Sequence, residues 1–353
     1  MAEGGLPVSD ALVAHVDRCL GCQACEAACP SGIPYRALLQ DGRAFLRSAR
    51  DPLPSLYRGL VHGTRSRALV ALGYRLARAA DRLGLLAIFG RRLARGLKDL
   101  PHRPSIRRRT PARPRPTGPL VSLFLGCTAD LDSATLNAAI VLLETLGHTV
   151  EIPKTQACCG ALARHAGFSA LAERQERRNR RAFTTTTPLV AVASGCAGAL
   201  HHYDPPAEGT FPPVYDIHRF LVERTAFTDL TFMPLTQTVA IHEPCSLRYD
   251  LKEAAYMRRL LEQIPGITLV AAPGNDLCCG AAGDYFLREP KTAQALSDTK
   301  ALALIRQNPD IIVSANIGCV LHISAALARQ GRNIPVVHPL LVLARQLPPP
   351  VGP

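Results

Sequence analysis

From Leu120 onward, short apolar runs alternate with longer segments in which apolar residues recur at helical spacing. The runs LVSLFLG, TVEIP and PLVAVAS are rich in β-branched and aliphatic residues and predict strands. Amphipathic segments separate them, one from Ser133 to about Gly147 and a charged one ending near Arg181, and these predict helices. The same order returns after Gln237. TVAIH, ITLVAA and DIIVSA predict strands; segments ending near Gln263 and Gln307, and VLHISAALARQG, predict helices. An internal repeat of this kind, alternating strand and helix, predicts two tandem Rossmann-like α/β domains with parallel sheets, spanning 119–236 and 237–353. In such sheets ligands gather beyond the carboxyl ends of the strands.

Upstream the pattern changes. Residues 49–118 place Leu69, Leu72, Leu76, Leu83 and Ile88 near helical spacing with Arg between them, which predicts one or two basic amphipathic helices. RPSIRRRTPARPRPTGP at 103–119 predicts an extended linker. Residues 1–48 offer only a short helical pattern through Leu38, Leu39 and Phe45, a core too small to stand without a staple.

Composition sharpens this picture in two ways. The chain has 353 residues, 47% of them apolar, which excludes a disordered tail. Its net charge of +13 is local: residues 43–115 hold 19 basic and 3 acidic residues, so the remainder sums to −3. The basic segment lacks interleaved aromatics, with Tyr74 and Phe89 alone near its core, and this argues against nucleic acid and for a solvated face, an anionic membrane surface or an acidic partner. No apolar run reaches the roughly 20 residues of a membrane-spanning helix, and the N-terminus has no export signal, so the reducing cytosol is the expected compartment, with peripheral contact on the cytoplasmic membrane face open. Disulfides are then the lesser expectation for the twelve cysteines, and metal ligation the greater.

Those cysteines fall into three sets of four. CLGCQACEAACP carries Cys19, Cys22, Cys25 and Cys29 in the bacterial ferredoxin order CxxCxxCxxxCP, which holds a [4Fe-4S] cluster. Its small residues Gly21 and Ala24 let backbone amides approach the sulfides; a structural zinc site is the competing reading. The fourth cysteine of this pattern ordinarily ligates a second cluster, so either Cys29 swings in to complete its own cube or a second motif is missing upstream of Met1. The other sets are built on a repeated CCGA. Cys127 precedes Cys158 and Cys159 by 30 intervening residues and Cys196 follows by 36; Cys245 precedes Cys278 and Cys279 by 32 and Cys319 follows by 39. Adjacent cysteines in extended chain point in opposite directions, so each pair serves one site only if the turn redirects a thiol, a freedom that Gly160 and Gly280 supply. The same thiols could instead be buried small hydrophobes or a vicinal disulfide.

With HVDRCLGCQACEAACPSGIPY, ACCGAL followed by His165 and Gly167, ASGCAG, EPCSLRY, LCCGAAGDY and ANIGCVLHI in this order, the chain resembles the tandem cysteine-rich CCG family. That family includes a heterodisulfide reductase subunit, lactate-utilisation proteins and, most similar here, glycolate oxidase iron-sulfur subunits. The resemblance covers nearly the whole chain. It implies a small helical ferredoxin-like [4Fe-4S] head followed by two CCG domains, with further iron-sulfur clusters possible in the repeats. It also implies a role in passing electrons from a flavin-binding dehydrogenase subunit, which oxidises glycolate or another 2-hydroxy acid, to a quinone or other acceptor.

Three departures qualify what it implies. The family's glycolate oxidase subunit usually has two ferredoxin motifs, and this chain shows one. The full CCG pattern ends in CxxC, whereas positions 199 and 322 are Ala and His, which puts the five-thiolate noncubane cluster in doubt. Four cysteines remain in each repeat, with His322 a candidate fifth donor in the second. The competing function is thiol or disulfide chemistry of the heterodisulfide reductase kind, or a lactate-utilisation redox role. GxGxxG and P-loop patterns are absent, so a complete dehydrogenase on this chain is not expected. His242 and Glu243 beside Cys245 invite a hydrolase reading, but Cys127 takes the same place in the other repeat, and ligation explains both. Arg248, Asp284 and Tyr285 follow the cysteine motifs and are candidates for tuning a cluster by charge or hydrogen bonding.

Overall fold

A computed structural model describes residues 8–49, 55–83, 117–203 and 211–349. The head contributes α1 (Asp10–Asp17), the single turn α2 (Ala24–Ala27) and α3 (Tyr35–Ala49). Helices α4 (Ser55–Gly63) and α5 (Arg67–Arg82) follow. On α5 the predicted leucine stripe exists but is not covered: Leu69, Leu72 and Leu76 are exposed, as is Leu83 just past the helix end. Ile88 and the linker through Pro116 lie outside the described residues.

The first repeat runs β1 (Leu120–Phe124), α6 (Ser133–Thr145), β2 (Thr149–Glu151), α7 (Ala161–His165), α8 (Ser169–Ala182), β3 (Leu189–Ala191), α9 (Ser194–His201), β4 (Val214–Asp216) and α10 (Ile217–Arg224). The second runs β5 (Thr238–His242), α11 (Ala254–Leu261), β6 (Thr268–Ala271), α12 (Tyr285–Arg288), α13 (Pro290–Ile305), β7 (Ile311–Ser314), α14 (Ile317–Arg329), β8 (Val336–Val337) and α15 (Pro339–Arg345). Both sheets are parallel, ordered β2-β1-β3-β4 and β6-β5-β7-β8. The α/β expectation therefore holds. Strands β4 and β8 were not expected, because three and two residues are too few to show a period.

The order 2-1-3-4 places a topological switch point between the two central strands of each sheet, where successive connections leave in opposite directions and open a crevice. Cys127 and Cys196 follow those strands in the first repeat, and Cys245 and Cys319 do so in the second. The CCG pairs come seven residues after β2 and β6, so strands lead into cysteines at three of the four positions in each sheet rather than at all of them. The repeats share one apolar core: α15 packs on α6 and α10 on α11, so each repeat's last helix covers the other's first.

Candidate metal centres

In the first repeat Cys158 and Cys159 are buried, with Gly160 left-handed at φ +85° directly after them. The turn splits the pair. Cys158 shares a hydrogen bond with Cys127, and Cys159 with Cys196. The Cys158 thiol is held well below its ordinary pKa by the hydrogen bonds from Cys127 and Cys159, while Cys127 is pushed well above by the same bond and by burial. Asn179, fully buried on α8, braces the loop: its Oδ1 accepts from Ala157 N (2.7 Å), and its Nδ2 donates to the Cys158 carbonyl (3.0 Å) and Tyr203 Oη (2.8 Å).

The second repeat copies this plan. Gly280 has φ +81°, and a Cβ there would stand 2.6 Å from the Ala293 carbonyl oxygen, so helix α13 passes too close for any side chain. Cys278 shares a hydrogen bond with Cys245, and the Cys279 and Cys319 sulfurs lie 3.1 Å apart, close but not covalently joined. Again the first thiol of the pair is held low by its cysteine neighbours, and the second, Cys279, is pushed high by Cys278 and Cys319. Lys300, 2% exposed, donates to the Gly274 carbonyl (2.6 Å) and feels the charge of Cys245, Cys279 and Cys278. His242, 1% exposed, bonds through Nδ1 to Ser314 Oγ (3.0 Å), and its donor atoms lie within 4.8 Å of those of Cys279 and Cys319. His322 is placed otherwise: its Nδ1 is 2.8 Å from the Cys279 carbonyl oxygen, which turns that nitrogen to the main chain.

In the head, Cys19, Cys22 and Cys25 line one pocket with Tyr35, Arg43 and His165. Gly21, at φ +63°, lets the loop turn under the His165 ring, which a Cβ would meet at 2.8 Å. Cys29 is not among the lining residues; the backbone amides of Ile33 and Ser31 hold its thiol below the ordinary value instead. Cys22, raised by burial, also feels Cys278, so the head pocket adjoins the second repeat's thiols.

All twelve thiols are free. Within each repeat quartet thiols crowd one another below the protein surface, where thiolates repel unless a cation lies among them. Soft donors gathered at this density fit a soft metal or an iron-sulfur cluster, in which each sulfur is deprotonated by the metal it binds.

A cysteine-rich domain termed CCG matches residues 121–201 and again 239–324. The chain is 31% identical over 335 residues to the glycolate oxidase iron-sulfur subunit of Escherichia coli, covering 88% of this chain and 78% of that one. The chain belongs to the CCG family. It is 28% identical to the probable glycolate oxidase iron-sulfur subunit of Bacillus subtilis (94% of this chain, 82% of that one) and 29% identical to lactate utilization protein A of Oceanobacillus iheyensis (62% and 93%). Among solved structures, glutamate racemase RacE1 of Bacillus anthracis matches 65% of this chain and 80% of its own at 11% identity and a TM-score of 0.27.

Three residues around the CCG sites take their place from the fold and not from the sequence pattern. Arg43 is 2% exposed and donates to the carbonyls of His165 (3.0 Å), Val16 (3.2 Å) and Cys19 (2.5 Å), pinning the head to the first CCG repeat. Lys300 looks in the sequence like one more basic residue in a helix. His242 stands out there only for its place beside Cys245, and its strand register shows its true neighbours. The residues expected to tune a cluster have these partners. Asp284 pairs with Arg288, which donates to the Asp17 carbonyl (2.8 Å), so this pair docks the head on the second CCG repeat; Tyr285 lies under the Arg288 guanidinium, and Arg248 pairs with Glu243.

Proposed function

We propose that this chain is the iron-sulfur electron-transfer subunit of a flavin-dependent 2-hydroxy acid dehydrogenase, with glycolate the substrate of the partner flavoprotein and a quinone or similar carrier the acceptor. The observation that carries this reading is the placement of the head pocket of Cys19, Cys22 and Cys25 against the thiols of the second CCG repeat, close enough for Cys278 to raise the Cys22 thiol and for Cys22 to raise that of Cys245. Iron-sulfur clusters supply one-electron steps, which suits a flavin that must discharge two electrons in succession. This chain's own residues contribute the thiolates, the buried cations Arg43 and Lys300 that offset their charge, and the apolar walls that keep water from them. The names of its relatives support the substrate class, and the exposed leucines of α5 among basic residues support docking on a membrane surface or partner subunit. Among the described residues no helix is long and apolar enough to cross a membrane.

The test is a complex reconstituted with its flavoprotein in which Cys22 and Cys25 are replaced by Ser. Glycolate oxidation coupled to an external acceptor should collapse while the flavin is still reduced by substrate. Coupled oxidation at the full rate would overturn the reading.

A further inference from the structure

We propose that the two CCG repeats hold chemically different centres: thiolates alone in the first, thiolates with one imidazole, His242, in the second. This rests on the iron-sulfur reading above and adds a ligand to it.

The strand register makes the comparison exact in position. In the second sheet His242 at the end of β5 stands beside Ser314 at the end of β7. In the first sheet the same two ladder positions, at the ends of β1 and β3, are Phe124 and Ala191. The residues differ as a pair. Where an imidazole is present, so is the hydroxyl that orients it; where the ring is a phenyl, the hydroxyl is gone too. Phe124 packs among Cys158, Cys159 and Phe183 as an apolar wall, so on this strand the first quartet meets hydrocarbon.

His242 has what a ligand requires. It is fully buried, its Nδ1 is engaged by Ser314 Oγ at 3.0 Å, and this fixes the ring so that Nε2 is the nitrogen left for a metal. Its donor atom and the sulfurs of Cys279 and Cys319 all lie within 4.8 Å of one another. Metal-sulfur bonds of about 2.3 Å and metal-nitrogen bonds of about 2.0–2.1 Å set donors around one tetrahedral metal roughly 3.5–4 Å apart, so the two sulfurs, now 3.1 Å apart, need part only slightly to take a metal between them and the imidazole. A purely structural histidine would be satisfied by Ser314 alone, and that role does not require two buried thiols within 4.8 Å.

The chemical consequence has a sign. An imidazole beside the four thiolates adds a donor without the negative charge that a further thiolate would bring, and histidine ligation raises the reduction potential of an iron-sulfur centre. Lys300, beside the same thiols, acts in the same direction. The second-repeat centre, which adjoins the head pocket, is therefore the better electron acceptor of the two repeats.

The test is pulsed electron paramagnetic resonance on the iron-loaded, reduced full chain, prepared with natural and with 15N-labelled histidine. The expected result is a nitrogen coupling that changes with the label, is lost in His242→Phe, which copies Phe124, and persists in His165→Phe and His322→Phe. Because His242→Phe could lower cluster occupancy, His242→Cys is the second variant: it should keep the iron and sulfide content, lose the coupling and show a lower midpoint potential. Full iron content with no histidine coupling, or a coupling that survives His242→Cys, overturns the ligand assignment and leaves the iron-sulfur reading standing. Unchanged iron in Cys279→Ser/Cys319→Ser overturns that reading at this repeat, and the assignment with it.

Discussion

Replacing Arg43 by Met should release the head from the body of the protein without disturbing either sheet. The guanidinium makes three hydrogen bonds to main-chain carbonyls, one of them across to His165 in the first repeat, and its surroundings admit almost no water. Burial pulls the Arg43 pKa below its usual value, a sign that its charge is carried at some cost and must be compensated by those carbonyls. A hydrogen bond to a charged group contributes about 1.5–3 kcal/mol. Met preserves much of the apolar stem, so the loss is that of the bonds, reduced by whatever water enters. Only the bond to His165 crosses from the head to the body, so about 2 kcal/mol is the expectation for docking, and at about 1.4 kcal/mol per decade this raises the population of the undocked head roughly 30-fold. Limited proteolysis of the segment between α1 and α3, in the regime where cleavage is slower than redocking, reads that population directly. Cleavage should accelerate roughly 30-fold in Arg43→Met. Arg43→Lys should recover little of it, because one ammonium cannot span carbonyls lying on opposite sides. An acceleration below about threefold for Arg43→Met would refute the reasoning and show that Asp17, Arg47 and Arg288 hold the head by themselves.

Two further predictions concern the repeats. Gly280→Ala should cost far more than Gly160→Ala: both residues are left-handed, which costs alanine about 1–2 kcal/mol, but the new methyl meets a backbone oxygen at 2.6 Å in the first case and nothing nearer than 3.5 Å in the second. Iron and sulfide per chain should fall only in Gly280→Ala, and equal loss in both variants would contradict the geometry. His338 caps α15 in the neutral state, its Nδ1 accepting from Leu340 N (3.2 Å) and its Nε2 facing the Val192 carbonyl (3.2 Å), with His218 stacked on it and Asp216 bonded to His218. Burial first, then His218, holds its pKa well below the ordinary 6.5. The unfolded chain therefore takes up the proton first as pH falls, so the stability His338 gives is full above 6.5 and drains below it. Between pH 7 and 5.5 that loss is about 1.2 kcal/mol. Denaturant midpoints should show it in the parent and not in His338→Asn; Asp132, raised to about 6, and Glu253, raised to about 7, act with the opposite sign in both proteins and cancel in the difference. Parallel losses would exclude His338 as the cause.

Much of this was legible in the sequence because each legible feature is local. The repeat appears because its strands and helices each span several residues of consistent period, and the cysteine sets appear because CxxC and CCG spacing confine donors to one loop. Strands β4 and β8 escaped because they are too short to have a period and take their identity from the neighbours they pair with. Arg43 escaped for a related reason: it reads as one member of a basic run and acquires its role only when α3 is laid against α7. The pattern poses the place of Cys29 as a question: it does not line the pocket of the other three, and the turn after α2 brings its thiol to the backbone amides of Ile33 and Ser31.

His242 marks the deeper limit. Its sequence neighbours, Glu243 and Cys245, draw attention to a triad along the chain, whereas its partners lie across the sheet: Ser314 is 72 residues away and Cys319 follows that strand. A parallel sheet with a switch point makes the ends of non-consecutive strands neighbours, so residues that differentiate the two copies of this repeat can be paired across strands and far apart in sequence, as His242 and Ser314 are. Cysteines kept at matching positions advertise that both repeats bind; the paired exchange of His242 and Ser314 for Phe124 and Ala191 is where the two copies can diverge in what the binding does. Both pairs fill the same two places, the last ladder positions at the carboxyl edge of their sheets, so the strand register beneath them does not depend on which pair is present.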